Sequence, residues 1–491
     1  MSDSLSRRIS RRHFLRIAGT GVALGGAAYL TGCGPMAAPP TEAPADITEE
    51  QVKEAYVWGL GIVAMYRYYG MMGEKSGGIN QLVHSREPAQ PGQFTGGPNR
   101  DGLYSFGWFR LDDEPIVVSL PDFGDRYFVW QMTDMYAHNF HNVGSYLREG
   151  PVEQYKAGYA FVMAGPDWDG EVPQGLDVVR CPVNLVNVLY RIAVVGEADY
   201  GAGHLLQDKT LILPLSDWLK GERISIQRMP SKPTPSYREV LAFKADVTGA
   251  DQRNPMFFSV LADALAASEP YAAWDREFVG NKLSSLGIAP GEAFDFEALS
   301  EAVRQTILDG QERAFDEVMA KGDASFGTKI NGWFLNPPNH GDWQDDWTFR
   351  AYATYTGGMY PTSNNSTYAT TYYDREGVRL DGKNTYLLRF EGDNLPPVTS
   401  FWSVTAYDAG TRDLYPNEAE LYGYGTNIPE TRYGEDGSVE IILSHTAPEN
   451  AGEVNWLPIP EDGAWMVLRF YAPKPEVINL EYEIPGFVRI G

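Results

Sequence analysis

The sequence predicts an α+β chain, mostly β, in which two antiparallel β-rich domains of sandwich or jelly-roll type are joined by a helical connecting region. Three observations predict it. Short β-branched and aromatic runs, separated by turn residues, fill the stretch from Gln93 to Lys220 and return after Gly332. Between them, from Pro235 to Lys321, apolar residues recur at helical spacing. The 491 residues suffice for two or three domains. The expected boundaries are an export signal over 1–32, a tether over 33–47, a helix with the first β-rich domain over 48–220, the helical connection over 221–330 and the second β-rich domain over 331–491.

The N-terminus carries an address. Ser10-Arg11-Arg12-His13-Phe14-Leu15-Arg16 has the form of a twin-arginine export signature. The apolar run Ile17–Leu30 is shorter than the ~20 residues a spanning helix needs, so it reads as a signal core. Leu30-Thr31-Gly32-Cys33 resembles a lipobox, in which Cys33 takes lipid and anchors the protein to a membrane; a plain cleaved signal is the alternative. The expected location is the periplasm or cell exterior. Gly34 to Ala45 is Pro/Ala-rich, without a periodic apolar face, and reads as a semi-stiff tether.

Thr48 with Gln51 three residues later is a capping-box pattern, flanked by Ile47 and Val52 as a hydrophobic staple. Apolar residues from Val52 to Tyr66 then predict a largely buried helix. Strands follow at SFGWF, EPIVVSL, RYFVWQM, GYAFVMAG, LDVVRC and NVLYRIAVVG, and the close spacing favours antiparallel pairing. NPMFFSVLADAL and the stretch Glu297–Met319 read as scaffold helices. RAYATY, NTYLLRF, SFWSVTAYD, SVEIILS and AWMVLRFY read as the second set of strands. VVSLPDFGDRYFVWQMTD and YLLRFEGDNLPPVTSFWSVTAYD both run strand, turn, strand, acid. Either two related halves or a chance likeness of hairpins accounts for that echo.

The formal charge of −25 is more negative still once the arginines of the signal are set aside, which argues against nucleic acid as a partner. The acids are scattered, as on a solvated surface. With Cys33 assigned to lipid, Cys181 is left alone in a strand-like run and reads as a buried structural thiol.

Gly97-Pro98-Asn99-Arg100-Asp101, Tyr104-Ser105, Pro121-Asp122, Arg126-Tyr127 and Asp134 in the first half carry a resemblance. So do Leu380-Asp381-Gly382, Phe401-Trp402-Ser403, Tyr407-Asp408, Asn455-Trp456-Leu457-Pro458 and Arg469-Phe470-Tyr471 in the second. Together they resemble a paired bacterial family, the domains of unknown function numbered twelve-fifty-four and twelve-fourteen. The resemblance implies a secreted or periplasmic protein with two β-rich domains and an intervening helical part, and no particular reaction. Gly102 stands where the family usually has Thr.

Candidate working groups sit at strand ends and in loops. Asp101, Asp134 and His138 are the candidate catalytic residues, because paired carboxylates with an imidazole serve general acid–base hydrolysis. Candidate substrate-binding residues are Asn99, Arg100, Tyr104, Trp130, Asn139, His141, Tyr360, Asn364, Tyr368, Trp402, Asp408 and Asn417, which offer aromatic faces and paired donors and acceptors. The opposing reading of Asn99–Asp101, Asp408 and Asn417 is turn closure. His138 and His141 with Asp134 would suit zinc or iron, yet they lack zincin spacing; a polar substrate-facing loop and structural hydrogen bonding are the alternatives. No motif implies a cofactor. Two readings follow: a hydrolase-like enzyme acting on a carbohydrate- or polyol-like substrate in an interdomain cleft, or a non-catalytic ligand-binding or envelope assembly lipoprotein.

Overall fold

The first helix starts where Thr48 and Gln51 exchange hydrogen bonds. Thr48 Oγ1 accepts the Gln51 N–H at 3.3 Å and Gln51 Oε1 accepts that of Thr48 at 2.9 Å, so two orphan donors are satisfied at once. The computed structural model describes residues 47–76, 79–93, 96–147, 150–223 and 252–491. The expected signal, Cys33, the tether up to residue 46 and residues 224–251 of the expected connection lie outside the described residues.

Helix α1 (Glu49–Ser76) is buried on nearly every side. Around it pack α2 (Phe257–Ala267), α3 (Ala273–Phe278), α4 (Glu301–Phe326) and α5 (Trp347–Gly357). Gly59 lets α2 come close, since a Cβ there would lie 2.8 Å from a Leu261 methyl. Helices from three separate stretches of chain thus share one apolar cluster.

Helix α5 corrects an expectation, because Arg350–Tyr355 was read as strand. Asp346 caps the helix by accepting the Phe349 N–H at 3.1 Å. Phe349 to Thr354 are all buried, so no exposed face reveals the helical period. Helix α3 corrects another: its buried Asp275 gives the supposed scaffold region a charged centre.

Each β-rich half has two main sheets, and the first adds a small ladder between Tyr146–Leu147 and Gly150–Pro151. The first half uses β1 (Val83–His84), β2 (Gly102–Arg110), β3 (Ile116–Asp122), β4 (Phe128–Thr133), β5 (Asn139–Gly144), β6 (Ala157–Ala164), β7 (Asp177–Arg180), β8 (Leu185–Ala193) and β9 (Leu211–Pro214). They order as β1-β2-β8-β4-β5 and β9-β3-β6-β7. The second half uses β10 (Thr328–Ile330), β11 (Trp333–Leu335), β12 (Ser366–Thr371), β13 (Tyr386–Phe390), β14 (Trp402–Asp408), β15 (Gly423–Gly425), β16 (Val439–Ser444), β17 (Asn455–Pro458), β18 (Ala464–Tyr471) and β19 (Val488–Arg489). These order as β10-β11-β12-β18-β14-β15 and β19-β13-β16-β17.

Apart from the added β10, the two orders are the same, neighbour for neighbour. Even the exceptions match. β6 pairs parallel with β7, and β16 pairs parallel with β17, against the expected antiparallel rule. Their connections, residues 165–176 and 445–454, are loops that return the chain beside a short edge strand. The register agrees too: Tyr104 lies opposite Arg191, and Tyr368 lies opposite Arg469. The two halves are therefore copies of one sandwich topology. Each has its own core, around Trp130 and Phe161 in the first and Trp402 and Leu468 in the second.

Cys181 is buried, and burial pushes its thiol up to about 12, which keeps it protonated. No helix among the described residues is long and apolar enough to cross a membrane.

Gly102 opens β2 opposite Ala193, and a Cβ there would lie 2.5 Å from the Ile192 carbonyl oxygen. The strand spacing leaves no room for a side chain. Gly102→Thr should therefore destabilise the protein by about 1–3 kcal/mol, as overpacking does. Urea unfolding checks this, and an unchanged midpoint would mean that the strands re-space freely.

Candidate functional site

A cavity of about 700 Å³ lies between the two halves and the end of α1, within the range of small-molecule sites. Matching positions of the two copies line it. Tyr104 and Tyr368, Phe106 and Thr370, Leu189 and Val467, and Arg191 and Arg469 form corresponding pairs by strand register. Tyr68, Met71 and Met72 of α1 close one side, with Tyr360, Arg412 and Trp465 from the second half. The walls are more apolar and aromatic than polar, and the charges stand within them.

Each arginine is the one charge in a strand that is buried throughout. Arg469 donates to Thr405 Oγ1 at 2.9 Å, the Tyr407 hydroxyl at 2.6 Å and the Gly97 carbonyl at 3.0 Å. Arg191 donates to Gln131 Oε1 at 3.0 Å. Burial pushes the Tyr104 phenol up to about 12, so it stays a donor at neutral pH. His84 is driven the other way, to about 4, by burial first and Arg86 second. It is a neutral imidazole with Nδ1 2.7 Å from Ser105 Oγ.

Behind the wall, Asp101 ties the halves together. Its Oδ2 accepts from Ser403 Oγ at 2.6 Å and from the Tyr471 hydroxyl at 2.7 Å. Tyr471 in turn accepts from Asn99 Nδ2 at 2.6 Å. Asn99 also closes its own turn, its Oδ1 accepting the Asp101 N–H at 2.7 Å.

Of the residues expected to bind substrate, Asn99, Tyr104, Tyr360 and Tyr368 line the cavity. The others are placed elsewhere. Trp130 and Trp402 fill the two sandwich cores. Arg100 hydrogen-bonds Ala89 and Gln90 and stacks over Tyr422. Asn139 is buried in β5, where its backbone N–H donates to Gly341 O at 2.7 Å, while His141 and Asn364 are exposed. Asp408 accepts the N–H groups of Gly410 and Thr411, and Asn417 bonds Tyr415 and Leu421, so both close turns. The loop expected around Tyr360–Tyr368 is partly strand, since β12 begins at Ser366. Arg191, Arg412 and Trp465 carry no expectation from the sequence and Arg469 enters it only through the family motif, although a lone charge inside a buried strand marks a position worth inspecting.

The three candidate catalytic residues do not converge. None lines the cavity, and Asp101 lies at the seam while the other two lie under the helices. His138 Nε2 is 3.0 Å from Asp275 Oδ2, and Arg350 Nη1 reaches Asp275 at 3.0 and 3.2 Å. Trp58 Nε1 donates to the same carboxylate at 2.8 Å. Burial alone would raise the Asp275 pKa, but Arg350 and His138 outweigh it and hold it below the usual range. His138, buried, and His141, exposed, do not face one metal position. Among the described residues no three His, Cys, Asp or Glu side chains gather as metal ligands.

Asp134 caps the β4–β5 turn, its Oδ1 accepting the N–H groups of Tyr136 at 2.9 Å and His138 at 2.8 Å. Burial pushes its pKa from 3.8 up to about 6. The folded state therefore holds the proton more tightly than the unfolded one. That contribution is present below pH 4 and is lost as pH rises through about 6. Asp134→Asn keeps the accepting oxygen and removes the titration. It should gain about 3 kcal/mol on wild type between pH 4 and pH 7, read by urea unfolding at both. Parallel pH profiles would discount this carboxyl.

Comparison with known proteins follows the same division. The family model described as Protein of unknown function (DUF1254) matches residues 79–214, the first sandwich. Protein of unknown function (DUF1214) matches residues 365–475, which run from the start of β12 past β18. Among solved structures, the VPA0106 protein from Vibrio parahaemolyticus is similar at 23% identity and TM-score 0.64, over 90% of this chain and 100% of that one. A protein from Burkholderia cenocepacia matches at 12% identity and TM-score 0.43, over 90% and 93% of the two chains. The first is a likeness of fold. No curated protein matches. With the two models falling in order on the two halves, the chain belongs to the family that pairs a DUF1254 domain with a DUF1214 domain.

Proposed function

We propose that this is an exported, lipid-anchored ligand-binding protein whose site is the cavity between its two halves. The observation that carries the reading is the cavity itself: about 700 Å³, apolar and aromatic in its walls, with a few polar groups brought to it by matching strands of both copies. Strands hold such groups more rigidly than loops do. Export rests on Arg11-Arg12 and the lipobox-like Leu30–Cys33.

The hydrolase-like reading, with a carbohydrate or polyol as substrate, would need a general acid and base at the substrate. Asp101, Asp134 and His138 do not line the cavity. Glu87 and Asp413 do, but Glu87 is exposed, and Asp413 accepts the N–H groups of Gly92 and Leu414. Binding without turnover is the reading this geometry favours.

Native mass spectrometry of protein exported by its own host is the test. A small molecule should travel with the wild type and be lost from Leu189→Phe and Thr370→Trp, which fill the cavity. Re-addition at a hundred times Kd should stabilise the wild type by about 2.7 kcal/mol and leave the filled variants unmoved. A bound molecule that survives both substitutions would place the site elsewhere, and product formed on long incubation would restore the enzyme reading. The address is tested apart from the cavity: Cys33→Ala should abolish lipid labelling and release the protein from membranes.

A further inference from the structure

Arg191 and Arg469 occupy matching places, and the two copies can be compared position by position. In the second half, Tyr407, opposite Trp465, accepts from Arg469. In the first half that place, opposite Asn187, is Thr133, too short to reach Arg191 and itself accepting from Gln131 Nε2 at 3.2 Å. Tyr471, which couples Asp101 to the neighbourhood of Arg469, is matched by Ala193. Asp101, three residues before Tyr104, is matched by Asn365, three before Tyr368. Asn365 is buried, and neither polar atom of its side chain has a partner among the described residues. Gly97, whose carbonyl accepts from Arg469, is matched by Pro361, whose carbonyl is held by His340 Nδ1 at 2.8 Å.

Only Thr405 has a counterpart that serves Arg191, namely Gln131; the places of Tyr407, Tyr471, Asp101 and Gly97 hold groups that are too short, apolar or engaged elsewhere. Arg191 is 6% exposed, lines the cavity and makes a single hydrogen bond among the described residues. Its buried Nε has no partner, and it forms no ion pair among the described residues. The Tyr104 ring centroid lies 5.6 Å from its guanidinium carbon, and the titratable groups that bear on it are the phenols of Tyr104, Tyr368, Tyr127 and Tyr471 rather than carboxylates. A buried guanidinium without counter-charge is expensive, and it persists where a partner arrives from outside. Around it the lining from Phe106, Leu189, Met71 and Met72 is apolar.

We propose that the cavity binds an organic monoanion: a carboxylate on an apolar or aromatic body, its charged end on Arg191 beside the hydroxyls of Tyr104 and Tyr368. Arg191 lines the cavity and only its Nη2 is engaged among the described residues, so the guanidinium has donors left for the oxygens of a carboxylate. Arg469, already satisfied, supplies no second site, so a single charge is the fit. This assignment rests on the cavity being a binding site.

Calorimetric titration of the wild type against matched acids and amides tests it, using benzoate with benzamide, phenylacetate with phenylacetamide and octanoate with octanamide. An acid should bind about tenfold or more tighter than its amide. Arg191→Met should erase that preference by weakening the acid alone, and Arg191→Lys, which keeps the charge but not the fork, should reduce it. Equal or tighter binding of the amides by wild type overturns the proposal without any variant, and so does a preference that survives Arg191→Met. If neutral sugars bind and the acids do not, the anion assignment alone falls. If acids, amides and sugars all fail to bind, and nothing co-purifies, the cavity reading falls with it.

Discussion

A guanidinium placed between two sheets cannot shed its proton, so it must be met by acceptors or by charge. This constraint shapes the seam of the molecule. Arg469 draws together Thr405, Tyr407 and the Gly97 carbonyl, and Asp101 is fixed nearby by Tyr471 and Ser403. The bonds to Gly97 and Asp101 cross from the first half to the second, so polar groups around the charge also join the copies. The cavity is what remains where the two sheets and α1 cannot close over the arginines.

Duplication explains why the seam is built this way. Two copies of one topology present the same strands to a shared interface, and any feature of one is offered twice. The copies have since diverged in their polar chemistry while keeping every strand neighbour. Asp134 and Asp408 show the conserved part: both follow or end the same strand and both accept two N–H groups of a tight turn. Asp101 and Asn365 show the diverged part, a carboxylate in one copy and a neutral amide in the other.

Much of the architecture was legible from local chemistry. The Thr48 cap, the strand runs and the inert Cys181 each depend on near neighbours, and the repeated strand–turn–strand–acid pattern did reflect two related halves. Arg350–Tyr355 was misread because burial on all sides removes the periodicity that betrays a helix. The site was harder. Tyr104, Tyr360, Tyr368 and Asn99 could be chosen by type and position, but so could Trp130 and Trp402, which the cores claim. Asp134 and His138 stood out as a polar cluster, yet the partner of His138, Asp275, sits 137 residues away in a stretch with no visible chemistry. Arg191 and Arg469 were hidden because a strand pattern shows where a side chain points, not which sheet faces it from across the seam.

Helix α1 opens the described fold, yet much of its apolar surface is covered by α4 and α5, whose residues follow more than two hundred positions later. At ordinary translation rates those partners emerge on the order of tens of seconds after α1 does. Through that interval α1 presents Trp58, Ile62, Val63 and Tyr66 to solvent or to whatever shields nascent chains. The first sandwich can assemble from its own strands while it waits. The order of synthesis therefore leaves this apolar rod uncovered until well after the first sandwich is complete, and makes a chain cut short before α5 a substrate for chaperones and proteases.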